Sequence, residues 1–174
     1  MYQRILVAID GSDTANLGLE QAIALARLSG GRLRLLHVLD GLGHACGFES
    51  AAVYGAEVLP RARSQGKAIL QNGAERARRA GVEVDTVLVE TVGGRVCDCV
   101  VAAAKSWDAA LIVLGTHGRR GADRFFMGSD AEQVLRLAPV PVLLVRAAVA
   151  AWDPSAEPTP ARSAVSATQR PVAA

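Results

Sequence analysis

"AALIVLGTHGRRGADRFFMGSDAEQVLRLAPVPVLLVR", residues 109 to 146, decides the fold. It opens on an apolar run, Ala109 to Leu114, of the length of a buried strand. Gly115, Gly118 and Gly121 follow within seven residues, then a basic run, the apolar Phe125-Phe126-Met127 and Gly128-Ser129. From Asp130 a helical period returns, with Ala131, Val134, Leu135 and Ala138 expected on one side. "VPVLLVR" closes the stretch as a strand flanked and interrupted by Pro139 and Pro141. Strand, glycine-rich turn, helix and strand make one unit of a parallel sheet. Pro141 has no N–H for a central ladder, so the last strand belongs at an edge.

Upstream, the same alternation repeats. "RILVAI", residues 4–9, ends at Asp10-Gly11-Ser12, a turn and helix-start signal. Ala15, Leu19, Ala22, Ile23 and Ala26 then share one helical face, and Gly30-Gly31 stops the helix. "RLRLLHVL", residues 32–39, reads as the next strand. Residues 40–57 hold four glycines and no period, the pattern of a long functional or mobile loop. A helix over 59–80 turns Ile69, Leu70, Gly73, Ala74 and Ala77 inward. Its Arg61, Arg63, Arg76, Arg78 and Arg79 point mostly outward, and a solvated face accounts for them better than an anionic partner. "VEVDTVLVE" (82–90) alternates as a strand, and Val96, Val100, Ala103 and Ala104 form a helical stripe.

The count is five strands and four helices in strict alternation. That predicts an α/β fold: a doubly wound, five-stranded parallel sheet with right-handed crossovers and helices on both faces. An order of 3-2-1-4-5 brings the first and fourth strands together where the winding reverses. The domain should span residues 1–146. Residues 147–174, rich in alanine, proline and serine without a period, are expected to be a disordered tail.

Composition fits this frame and excludes other classes. Apolar residues make up 51% of the 174-residue chain and aromatics only 4%, so the core must be aliphatic. A net charge of +2 without a basic stripe argues against nucleic acid as the partner. No segment reaches the roughly 18 uninterrupted apolar residues of a membrane span, and the N-terminus lacks a signal-peptide pattern. The expectation is a soluble, cytoplasmic protein. Cys97 and Cys99, two apart on a helix, point about 200° from one another and form no redox or zinc pair. His44 and Cys46 share a loop, but two ligands without a partner pair make a weak metal site, and none is assigned.

In an open sheet of this kind ligands bind beyond the carboxyl ends of the strands, at the reversal. Asp10-Gly11-Ser12 and residues 115–129 would face one crevice there. Glycines let backbone approach a ligand and adopt positive φ, and successive N–H groups in such a turn attract anions. Gly128-Ser129 stands at a helix start, where free amides and the helix dipole favour negative charge. A phosphate suits this set. Singly, each residue has a plainer explanation: Ser129 with Glu132 spells an S-x-x-E capping box, Gly115 ends a strand, and His117 is a loop imidazole. Together, on the right loop of the right sheet, they favour phosphate.

Gly115, Gly118, nine residues and Gly128-Ser129 spell G-x2-G-x9-G-S, which resembles the nucleotide signature of the universal stress proteins. "RILVAIDGS" and "GSDAEQVLRLAPVPVLLVR" resemble the two ends of that family, and the likeness covers residues 2–146. It implies an ATP-binding, mostly dimeric stress-response protein with an adenine-nucleotide α-hydrolase-like topology. Asp10 would contact the ribose or phosphates. Val38 would pack on adenine and offer it backbone hydrogen bonds. Gly115, His117, Gly118, Gly128 and Ser129 would wrap the phosphates, with Mg²⁺ held mainly by phosphate oxygens. Arg119 and Arg120 stand at variable positions. After the Gly-Ser pair the family commonly has a small or apolar residue, but here Asp130 competes with a phosphate for the same helix dipole. The open edge of strand 140–146 would pair with a second copy in a homodimer.

Two other functions compete with this one. An ATP hydrolase or nucleotide-transferring enzyme would use the same sheet, but the SGGxDS-type loop of related enzymes is replaced by "DGSDTAN" and no G-x4-G-K-[ST] loop occurs. No catalytic set is assigned, so slow hydrolysis is the most this allows. A flavin carrier would want aromatics to stack on the ring, and these are scarce.

Overall fold

The computed structural model describes residues 1–40, 54–118 and 127–146. Most of the predicted loop 40–57, with His44 and Cys46, lies outside the described residues, as do Arg119, Arg120 and the tail 147–174. The elements are β1 (Arg4–Ala8), α1 (Asp13–Ser29), β2 (Arg32–Asp40), α2 (Leu59–Arg79), β3 (Val84–Thr91), α3 (Val96–Ser106), β4 (Leu111–Gly115), α4 (Ser129–Leu137) and β5 (Val142–Val145). All four strand pairings are parallel and the order is β3-β2-β1-β4-β5, as the alternation predicts. One addition precedes α2: Tyr54–Val58, read from sequence as loop, forms a π-helical turn that leads into Pro60 in the first turn of α2.

Alternation along each strand builds two aliphatic cores. Ile5, Val7, Leu33, Leu35 and Val113 face α1 and α2, whereas Leu6, Leu36, Ile112 and Leu114 face α3 and α4. The chain therefore winds one way through α1 and α2, crosses from β3 to β4, and winds back along the other face. β1 and β4 meet at that reversal. Local signals set the helix ends: the Ser12 hydroxyl accepts from the Ala15 N–H at 3.3 Å, and Gly30, at φ 63°, takes the left-handed cap that stops α1.

On the solvated side of α2, Arg63 pairs with Glu90 and Arg76 with Glu20. β5 occupies the edge that Pro141 requires, and the Pro141 carbonyl accepts from Ile112 N–H at 3.0 Å. Cys97 is buried and Cys99 only partly so, which agrees with their opposed directions.

Leu135 corrects the sequence reading. It is 48% exposed, while Ala131 and Val134 are buried. On α4 the buried stripe runs through 131 and 134 toward the half-buried Ala138 at its end, and position 135 falls at its rim. α4 covers the border of the sheet, so no further element flanks that rim among the described residues.

Candidate functional site

Three segments converge at the carboxyl ends of β1 and β4. The first is the turn after β1. Asp10 Oδ1 accepts from the Ser12 N–H at 2.9 Å and from its hydroxyl at 2.6 Å, which fixes this carboxylate at the foot of α1. The second is the chain leaving β4. Thr14, from the first turn of α1, donates its hydroxyl to the His117 carbonyl at 2.5 Å. The third is the start of α4, where the Gly128 N–H donates to the Thr116 carbonyl at 2.8 Å. That last bond ties the start of α4 to the end of β4.

The motif glycines are required for space, not for φ. Positive φ occurs among the described glycines at 11, 30, 81 and 93, none of which belongs to the motif. A Cβ on Gly115 would lie 2.6 Å from Thr14 Oγ1, 2.8 Å from the Thr14 carbonyl carbon and 2.9 Å from Ala15 N. On Gly118 it would lie 2.8 Å from Asp10 Oδ2, and on Gly128, 3.3 Å from the Thr116 carbonyl oxygen. The expectation of positive φ here is thus corrected: bare backbone lets α1, β4 and the Asp10 carboxylate crowd together.

The capping box does not form. Gly128 is the N-cap, Ser129 is the first helical residue, and Glu132 turns away to pair with Arg136 at 2.7 Å. Among the described residues no side chain caps α4, so the Ser129 hydroxyl is not consumed by capping and the amides of the first turn keep their donors.

These segments enclose a cavity of about 730 Å³. All seven residues singled out by sequence line it: Asp10, Val38, Gly115, His117, Gly118, Gly128 and Ser129. Val38 meets the cavity through its backbone as well. The β1–β2 ladder ends at Ala8 opposite Leu36, with a last bond from Ile9 N–H to the Leu36 carbonyl at 2.9 Å. Backbone groups alternate sides along a strand, so Val38 turns its N–H and C=O the same way as Leu36, across the end of β1. His117 Nδ1 lies 3.0 Å from Thr116 Oγ1, while its Nε2 is buried with no partner among the described residues.

Sequence reasoning missed part of the lining. His37, Asp40 and Ile9 come from the ends of β1 and β2, and Val96 and Val100 add an apolar wall from α3. Asp40 repeats the signal that marked Asp10, a carboxylate at the carboxyl end of a strand next to the reversal. Thr14 carried only the weak mark of a polar residue in a first helical turn. Nearby thiols are poor nucleophiles: burial pushes Cys97 up, and the Asp98 charge adds to the shift. Burial likewise raises Cys99. Among the described residues no group of three or more His, Cys, Asp or Glu is placed to hold a metal, and no helix is long and apolar enough to cross a membrane.

A family model for the universal stress protein family matches residues 1–146. The chain is similar to universal stress protein YxiE of Bacillus subtilis, 30% identical over 155 residues, which covers 84% of this chain and all of the relative. Its fold is also similar to the universal stress protein from Archaeoglobus fulgidus in complex with dAMP, at 28% identity and a TM-score of 0.61, over 83% of this chain and 98% of that one. A universal stress protein in complex with cAMP gives 25% identity and a TM-score of 0.59, over 83% and 97%. With the family model spanning the whole five-stranded sheet, the chain belongs to the universal stress protein family.

Proposed function

We propose that the cavity binds an adenine nucleotide, ATP with Mg²⁺, and that the protein is a nucleotide-responsive regulatory module of the stress response. Its chief support is convergence: a glycine motif, an acidic strand end and a strand-end backbone, far apart in sequence, line one cavity at the reversal of the sheet. Two relatives of the same fold were solved with dAMP and with cAMP, which supports an adenylate. The volume of about 730 Å³ falls within the range of small-molecule sites.

In this reading adenine lies against Val38 and the apolar wall of Val96 and Val100, with the Val38 N–H and C=O reading its edge. Asp10 accepts from ribose hydroxyls. Gly115, Gly118 and Gly128 give the phosphates room, Ser129 and the amides of the first turn of α4 donate to them, and His117 Nε2 gains a partner there. Mg²⁺ would supply charge neutralisation, carried in chiefly on phosphate oxygens, beside the carboxylates of Asp10 and Asp40. Filling or emptying the site alters the crowded junction of α1, β4 and α4, and a partner or a second subunit senses that change.

Gly118→Val tests the proposal. Its side chain enters the space beside Asp10 Oδ2, so calorimetric ATP binding is lost while the circular dichroism spectrum stays native. A variant that binds ATP like the wild type removes the phosphate loop from the site.

A further inference from the structure

His37 is a buried polar residue in the cavity, 4% exposed, at the carboxyl end of β2. Its Nδ1 lies 2.6 Å from the Ile9 carbonyl oxygen. A carbonyl only accepts, so Nδ1 carries the proton and donates. The same carbonyl is the next acceptor in the sheet. After the bond from Ile9 N–H to the Leu36 carbonyl, a continuing parallel ladder would run from Val38 N–H to Ile9 C=O. The pairing of β1 with β2 stops instead at Ala8 opposite Leu36. The imidazole holds the carbonyl that the ladder would have used.

We propose that His37 is a positioning residue for base recognition: by holding the Ile9 carbonyl it ends the β1–β2 ladder one bond early and leaves the Val38 N–H directed at the cavity. The ligand half of this inference rests on the adenine-nucleotide reading, whereas the structural half does not. Val38 N–H and C=O side by side match the edge of adenine, whose N1 accepts and whose 6-amino group donates. A 6-oxopurine offers the reverse, an N1–H and an acceptor oxygen. His37 therefore sets base choice without touching the base. Gly66 makes room for it: a Cβ there would lie 2.8 Å from His37 Cδ2 and 3.3 Å from Nε2, so α2 can close over the ring only with a bare backbone.

Amide exchange followed by NMR reads the structural half directly. In the wild type without nucleotide, Val38 N–H exchanges at least tenfold faster than the ladder amide of Leu36, since it has no acceptor among the described residues. His37→Leu removes the donor, lets Val38 N–H reach Ile9, and slows its exchange. His37→Asn restores an N–H on Cγ and keeps Val38 fast. Titrations with ATP and inosine triphosphate read the ligand half. The wild type should prefer ATP on the order of a hundredfold, because two polar groups mismatch in the 6-oxopurine complex. His37→Leu should lose about tenfold of that preference, and His37→Asn should keep it within about threefold. Val38 as protected as Leu36 in the wild type overturns the proposal, and that result needs no variant. A folded His37→Leu with unchanged base preference overturns base selection. A wild type that binds neither nucleotide overturns the cavity reading and base selection with it, while Val38 exchange still decides whether His37 ends the ladder.

Discussion

Gly115→Ala should destabilise the protein through one local clash whose size follows from the coordinates. The new Cβ would stand 2.8 Å from the Thr14 carbonyl carbon and 2.9 Å from Ala15 N, both backbone atoms, and 2.6 Å from Thr14 Oγ1. Carbon contacts settle at about 3.5–4.0 Å, so the first turn of α1 must retreat from β4 by roughly 0.5–1 Å. Overpacking of this kind costs about 1–3 kcal/mol. The same retreat strains the hydrogen bond from Thr14 to the His117 carbonyl, worth about 1 kcal/mol more. For a domain of this size each kcal/mol lowers the melting temperature by about 2–4 °C, so the drop should be about 4–16 °C. Gly30→Ala is the control: nothing lies within 4 Å of its Cβ, and φ of +63° alone costs about 1 kcal/mol, or about 2–4 °C. Thermal melts by circular dichroism compare the two. If Gly115→Ala melts within about 2 °C of the wild type, or above Gly30→Ala, the close α1–β4 contact does not explain this glycine.

Asp130 lines the cavity from the first turn of α4, where like charges about 6 Å apart at an effective dielectric near 20 repel by roughly 3 kcal/mol, reduced by Mg²⁺ and salt to about 1. Asp130→Val should therefore tighten ATP binding about five- to tenfold, with a gain that shrinks from ATP to ADP to AMP; weaker ATP binding by calorimetry would reverse the sign. The half-buried edge strand β5, flanked by exposed Leu135 and Leu137, should pair with its copy about a two-fold axis, so light scattering gives twice 18.1 kDa at micromolar concentration, and a monomer mass counts against it. The Arg63 guanidinium holds the Glu90 carboxyl below the usual carboxylate range. A depressed folded value stabilises above the unfolded value and is lost as pH falls through the folded one. Arg63→Gln should thus melt slightly below the wild type at pH 7, and the gap should narrow as acid protonates Glu90; a gap that does not narrow with falling pH means the pair acts by packing.

Most of the fold was legible because its signals are local. Ser12 and Gly30 bracket α1 through hydrogen bonds within a few residues, and Pro141 assigns β5 to an edge by lacking a single donor. Part of the cavity's lining was legible, but not the packing behind it. Spacing marked Gly115 and Gly118, yet their bareness answers to Thr14 and Asp10, more than a hundred residues away in sequence. Ser129 and Glu132 spell a capping box that α4 does not use, because the helix starts one residue earlier than the motif requires. His37 gave no sign in an apolar strand: its partner is a carbonyl of another strand, which only the register reveals. Leu135 misled because helical period alone cannot tell a stripe's centre from its rim.

Binding of an adenine nucleotide in the cavity is most directly tested by an NMR titration of the backbone amides with ATP and Mg²⁺. The amides of Val38, Gly118 and Ser129 should shift together and saturably, ahead of those on the far ends of the strands, such as Arg32 and Val84. Amides that stay unmoved at millimolar ATP, or shifts confined to the opposite end of the sheet, would contradict it.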